Sequence, residues 1–259
     1  MEPVDWGERK VIEDFSMTEA DWLACTDPDR MLAFLEKKVS SRKARLFSVA
    51  CCRRIWDFLD ESLSLKAVEV AESYADDEWN ETALPDAHSD SVDAWDGKPG
   101  DAIWGAAACI HVTDTDAIAG AIMAGRCAAA LFADDRWRDA VDASATSRDG
   151  VVDWVMAAPP RQSKAWAERK GQSDLLRDMF GPLPFRPVTV EPAWLAWNAG
   201  TVVKLAQTIY GNRAFDRMPI LADALEDAGC HDADILGHCR QPGSHVRGCW
   251  VVDLVRGKS

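Results

Sequence analysis

Between positions 230 and 249, Cys230, His231, His238, Cys239, His245 and Cys249 gather three of the chain's eight cysteines and three of its five histidines. Thiolate and imidazole are the ligands that zinc selects, and a two-cysteine, two-histidine tetrahedron is one of its common structural sites. Loops between short helices can carry Cys230, His238, His245 and Cys249 to a common point. The spacing argues the other way, because eight and nine residues separate consecutive cysteines and no Cys-x-x-Cys knuckle is present. In the packing reading, which this spacing favours, the cysteines fill small core spaces and the histidines cap helix ends or bond the loop backbone. Zinc at Cys230, His238, His245 and Cys249 is the alternative, and otherwise no cofactor is expected.

Other reactive combinations are weaker. Cys239 beside His238, and Cys249 near His245, pair a thiol with a base, yet adjacent helical residues point apart and no nucleophile-elbow or papain-like phrase surrounds them. Cys109 and His111 read as alanine-rich core plus a helix-terminal histidine. The runs Asp76-Asp77-Glu78, Asp114 with Asp116, and Asp134-Asp135 lack the calcium-loop order, and Gly97-Lys98-Pro99-Gly100 lacks the length of a phosphate loop. No catalytic residue is assigned.

The elements that must position these residues are helical. A composition of 47% hydrophobic and 28% charged residues in 259 positions is ordinary for a globular chain with a core. Thr18-Glu19-Ala20-Asp21 and Asp27-Pro28 mark helix starts, and Ser40 or Ser41 opens a longer helix with Phe47, Cys51 and Ile55 on one face. Cys51 therefore reads as a core thiol. Later helices are expected over 62–79, on both sides of Thr113-Asp114, over 136–156 and over 163–179. In the tail, Asn198 or Thr201, Asp216 and Asp232 open three more, and a last helix carries Val246, Trp250 and Leu254 to dock on Leu221 and Leu225. The fold class is all-α, as bundle-like units joined by an acidic linker and a proline-rich strap. The boundaries are a helical unit over 1–80, linker over 81–100, helical unit over 101–180, strap over 181–193 and helical unit over 194–259.

Charge narrows the partners. The net charge is −14, with ten acidic residues against Lys98 alone from Glu72 to Asp101, so phosphate backbones and anionic membranes are disfavoured. Arg42, Lys43, Arg45, Arg53 and Arg54 form a basic patch, read as a solvated helix face. The first residues lack the pattern of a signal peptide and no window approaches a membrane span, which points to a cytoplasmic protein with reduced thiols. By elimination the function is a non-catalytic adaptor or scaffold role with another protein as partner. A zinc protein built on the tail cluster is one alternative, and an acidic inhibitor or immunity-type protein that covers a basic surface is another.

Several phrases carry a resemblance. Met17-Thr18-Glu19-Ala20-Asp21-Trp22-Leu23, Ala50-Cys51-Cys52-Arg53-Arg54-Ile55-Trp56, Leu176-Arg177-Asp178-Met179-Phe180-Gly181 and Pro184-Phe185-Arg186-Pro187 form one set. Leu221 to Cys230 and His245-Val246-Arg247-Gly248-Cys249-Trp250 complete it. Together they resemble an uncharacterised paralogous family of planctomycete bacteria, which implies a bacterial cytoplasmic setting and no particular activity.

Overall fold

The computed structural model describes residues 16–59, 62–76, 82–95, 102–133 and 163–258. Among these residues the fold is all-α, with twelve α-helices and no strand. The first seven are α1 (Glu19–Ala24), α2 (Pro28–Leu35), α3 (Ser41–Arg54), α4 (Ser62–Ala75), α5 (Ala83–Trp95), α6 (Ala102–Val112) and α7 (Ala117–Ala130). Then come α8 (Lys164–Phe180), α9 (Pro192–Asn212), α10 (Met218–Asp227), α11 (Ala233–Arg240) and α12 (Trp250–Arg256). The helix expected over 136–156 lies outside the described residues.

Local chemistry accounts for the boundaries. Thr18 and Asp21 close a reciprocal capping box, Asp27 caps α2 ahead of Pro28, and the Ser40, Asp116, Ser163 and Asp232 side chains accept from first-turn N–H groups of α3, α7, α8 and α11. Asp116, and not Thr113 or Asp114, is the cap after the break. The helix expected from Asn198 or Thr201 runs from Thr201, and a short helical segment from Pro192 precedes it. Between them Trp197 is extended and three consecutive residues, Asn198, Ala199 and Gly200 (φ 46°, 55° and 78°), are left-handed.

Helix α3 is the hub, packed against α4, α6, α7 and α8. Phe47, Cys51 and Ile55 are buried as expected, within a core that also holds Trp22, Met31, Leu35, Leu176 and Met179. A second core joins Val202, Ile209, Met218, Leu221, Leu225, Trp250 and Val252 from α9, α10 and α12. Each large aliphatic side chain so buried contributes roughly 1.5 to 3 kcal/mol. The proline-rich stretch bridges the two cores: Phe185 stacks on Phe34 at 5.2 Å, while Val188 and Val190 pack against the second core.

Three expectations need correction. The stretch read as an acidic linker over 81–100 contains α5, packed on α4 and α6 through Leu84, Ala87, Ser91 and Ala94, and the acidic residues between them face outward. Pro85 sits in its first turn, where a missing N–H costs nothing, so turn-forming residues misled the reading. The basic patch is not a solvated face. Lys43 and Arg45 are buried, and Arg42, Lys43, Arg53 and Arg54 pair with Asp76 or Asp253, Asp253, Glu72 and Glu168. Helix α3 is covered on several sides, and cations on a central helix must be matched by carboxylates from its neighbours. The last helix is also shorter than expected. Val246 precedes it and packs on the first core, and α12 rests chiefly on α9, with Trp250 inside the second core.

Candidate metal centre

Three elements converge where the two cores meet. Asp178 lies in the last turn of α8, His238 in the last turn of α11, His245 in the following loop, and Cys249 is the residue before α12. One ligand atom from each of Asp178, His238, His245 and Cys249 falls within a 4.8 Å span. Three of the four residues expected from the tail, His238, His245 and Cys249, are thus brought together. Cys230 is not in the group. It lies at the end of α10, buried in the second core with its N–H on the Leu225 carbonyl, as a packing thiol would be. Cys239, the residue after His238, is likewise buried in that core, and His231 is exposed.

The converging atoms lie at hydrogen-bonding to coordination distances from one another. Asp178 Oδ1 lies 2.6 Å from His245 Nδ1 and 3.2 Å from His238 Nε2. Cys249 Sγ lies 3.2 Å from His238 Nε2 and 4.0 Å from His245 Nδ1. A tetrahedral zinc with its usual bond lengths needs N···O edges of about 3.3 Å and N···S edges of about 3.5 Å. The two contacts of His238 Nε2 lie near those values, the Asp178–His245 contact is a hydrogen bond shorter than a tetrahedral edge, and the group spans 4.8 Å, so an ion would be enclosed after shifts of up to about 1 Å.

The surroundings hold the ligand atoms in place. Asp178 Oδ2 accepts from the Val246 N–H at 3.0 Å, which leaves Oδ1 to face the cluster. The Gln241 side-chain amide sits 3.1 Å from His238 Nδ1, the outer hydrogen bond that orients a ligating imidazole. Gln241 Nε2 faces the ring, and a metal-bound ring, protonated at Nδ1, requires the amide turned end for end so that its oxygen accepts. Buried Lys43 donates to the carbonyls of Met179 (2.6 Å) and Gly248 (2.9 Å), the chain neighbours of Asp178 and Cys249. Gly248 (φ 92°) permits that approach, because a Cβ there would sit 2.7 Å from Met179 Cε.

Electrostatics follow from burial. Burial alone would push the Asp178 carboxyl up, but hydrogen bonds from His238 and His245 outweigh it and hold the group below the usual carboxylate range. Burial beside Asp178 pushes the Cys249 thiol well up, although N–H groups at the start of α12 oppose the shift. His245 Nε2 is buried without a hydrogen-bond partner among the described residues.

This arrangement suits coordination better than nucleophilic catalysis. In a catalytic triad the base uses one ring nitrogen for the nucleophile and the other for its carboxylate. Here His238 Nε2 faces both Cys249 Sγ and Asp178 Oδ1, and the thiol has no exposed surface and a raised pKa. A carboxylate, a thiolate and two neutral imidazoles carry two negative charges, which a divalent cation cancels without leaving net charge in the interior.

Sequence reasoning missed Asp178, one of three carboxylates in α8 and sixty residues before His238, with no spacing to mark it. Its placement depends on α8 packing beneath the tail. Comparison of the chain with known protein families, with curated proteins and with solved structures finds no match, so the chemistry of this centre rests on its geometry.

Proposed function

We propose that this chain is a zinc-binding helical protein in which Asp178, His238, His245 and Cys249 hold one ion in a closed, structural site. The carrying observation is the convergence of four ligand atoms of the right chemistry within 4.8 Å in a buried position. Four protein ligands leave no open position for water or substrate, which favours a structural role over a Lewis-acid one. The ion would tie the C-terminal helices to the first core, since Asp178 comes from α8 and the other three ligands from the tail. Such a scaffold agrees with a non-catalytic role in binding another protein.

The test is metal analysis of untagged protein purified without chelator, followed by substitution with cobalt. About one equivalent of zinc is expected, with a tetrahedral cobalt spectrum and a thiolate-to-cobalt charge-transfer band that Cys249→Ser abolishes. Protein that is metal-free as purified and shows no cobalt spectrum would refute the reading.

A further inference from the structure

Three guanidinium groups close on one buried carboxylate beside the end of α9. Arg213 forks across Glu72, with Nε on Oε1 at 3.3 Å and Nη2 on Oε2. Arg53 Nη2 shares Oε2, and Arg247 Nε lies 3.5 Å from Oε1. The nitrogens that meet this one carboxyl group therefore lie within roughly 8 Å of one another. Three cations against one carboxylate leave two positive charges uncancelled, in a chain whose net charge is −14. The adjoining Asp76 and Asp253 do not absorb them, because Arg42, Lys43 and Arg256 already stand on those carboxylates.

Donors remain open as well as charge. Arg247 gives Nε and Nη2 to the Tyr210 and Gly211 carbonyls, which accept hydrogens without cancelling its charge. Nη1 of Arg53, Arg213 and Arg247 makes no hydrogen bond among the described residues, and Arg53 Nε is buried without a partner. The three side chains keep 27%, 44% and 18% of their surface, so an incoming group can reach them. Arg53 lies over the Trp56 ring (4.9 Å) and Arg247 over the Tyr210 ring (5.0 Å), which holds both guanidinium planes in place. Like charges this close repel one another, and an arriving anion relieves that repulsion. A compact group with several oxygens and two negative charges can meet three guanidinium edges at once, whereas a carboxylate brings one charge and two oxygens.

We propose that Arg53, Arg213 and Arg247 bind the dianion of a soluble phosphate monoester. The net charge of the chain still repels a polyanionic backbone or bilayer, whose charges extend beyond the reach of three arginines. The site uses none of the four metal ligands and stands apart from the zinc reading.

Methyl phosphate, dimethyl phosphate and phosphatidic acid vesicles are the probes, read on the full chain as purified at low ionic strength. At about pH 7.5 the monoester carries close to two charges and the diester one. In a phosphorus NMR titration, methyl phosphate should bind at least tenfold more tightly than dimethyl phosphate. Arg213→Gln should weaken methyl phosphate at least fivefold. If that variant melts early, Arg53→Gln, on the other side of Glu72, should weaken it by a similar factor. Equal affinity of the native chain for the two esters, or undiminished binding of methyl phosphate by a folded variant, would overturn the proposal. So would co-sedimentation with the vesicles that Arg213→Gln abolishes, which would mean a membrane surface in place of a soluble ester.

Discussion

Lys43→Met removes a buried ammonium from the point where both ends of the candidate metal centre are anchored. In the native protein its Nζ donates to Met179 O at 2.6 Å and Gly248 O at 2.9 Å and lies 3.3 Å from Asp253. Asp253 keeps Arg42 and Arg256, so no carboxylate is stranded, but two buried carbonyls lose a charged donor. Each such hydrogen bond is worth about 1.5 to 3 kcal/mol. Burial presses the Lys43 pKa down, and relief of that desolvation offsets part of the loss. The net cost is about 2 to 4 kcal/mol, or roughly 5 to 15 °C in a thermal melt of a chain this size. Met179 and Gly248 adjoin Asp178 and Cys249, so zinc affinity, measured by competition with a chromophoric chelator, should also fall by about 10- to 100-fold, as for other supporting groups of metal sites. A variant as stable as the native protein, with unchanged zinc affinity, would refute the claim that this ammonium holds the two segments together.

Further outcomes can be checked independently. Cys230→Ala should lower stability by about 1 to 2 kcal/mol in a urea titration through a small cavity and leave the zinc content unchanged; zinc lost from this variant would restore Cys230 to the ligand set. Ala199→Gly should stabilise the chain by about 0.5 to 1 kcal/mol, because Ala199 is held at φ 55° where a Cβ is strained and glycine is not; a loss in the same titration would contradict this. Glu72 bears on acid stability. Burial alone would raise its pKa, but hydrogen bonds from Arg213 and Arg53 hold it below 4.5, so the unfolded chain binds the proton more readily. Its contribution is complete above about pH 4.5 and is lost as pH falls through the lower folded value. The acid-induced loss of stability in that window, followed by circular dichroism, should be shallower for Glu72→Gln than for the native chain.

The all-α class, most helix starts and the buried face of Cys51 were legible in the sequence because they are local. A capping side chain reaches N–H groups two or three residues away, and an apolar stripe repeats within each turn. His238, His245 and Cys249 could be singled out because few residue types bind soft metals. Tertiary structure alone decided the rest. Periodicity reports which residues share a face, not what covers the opposite one, so the cations of α3 read as solvated until α4, α8 and α12 brought Glu72, Asp76, Glu168 and Asp253 against them. For the same reason Asp178 and not Cys230 stands with the tail residues. A ligand set is a set of distances, and the distance across sixty residues is set by how α8 packs under the tail, which no local pattern encodes.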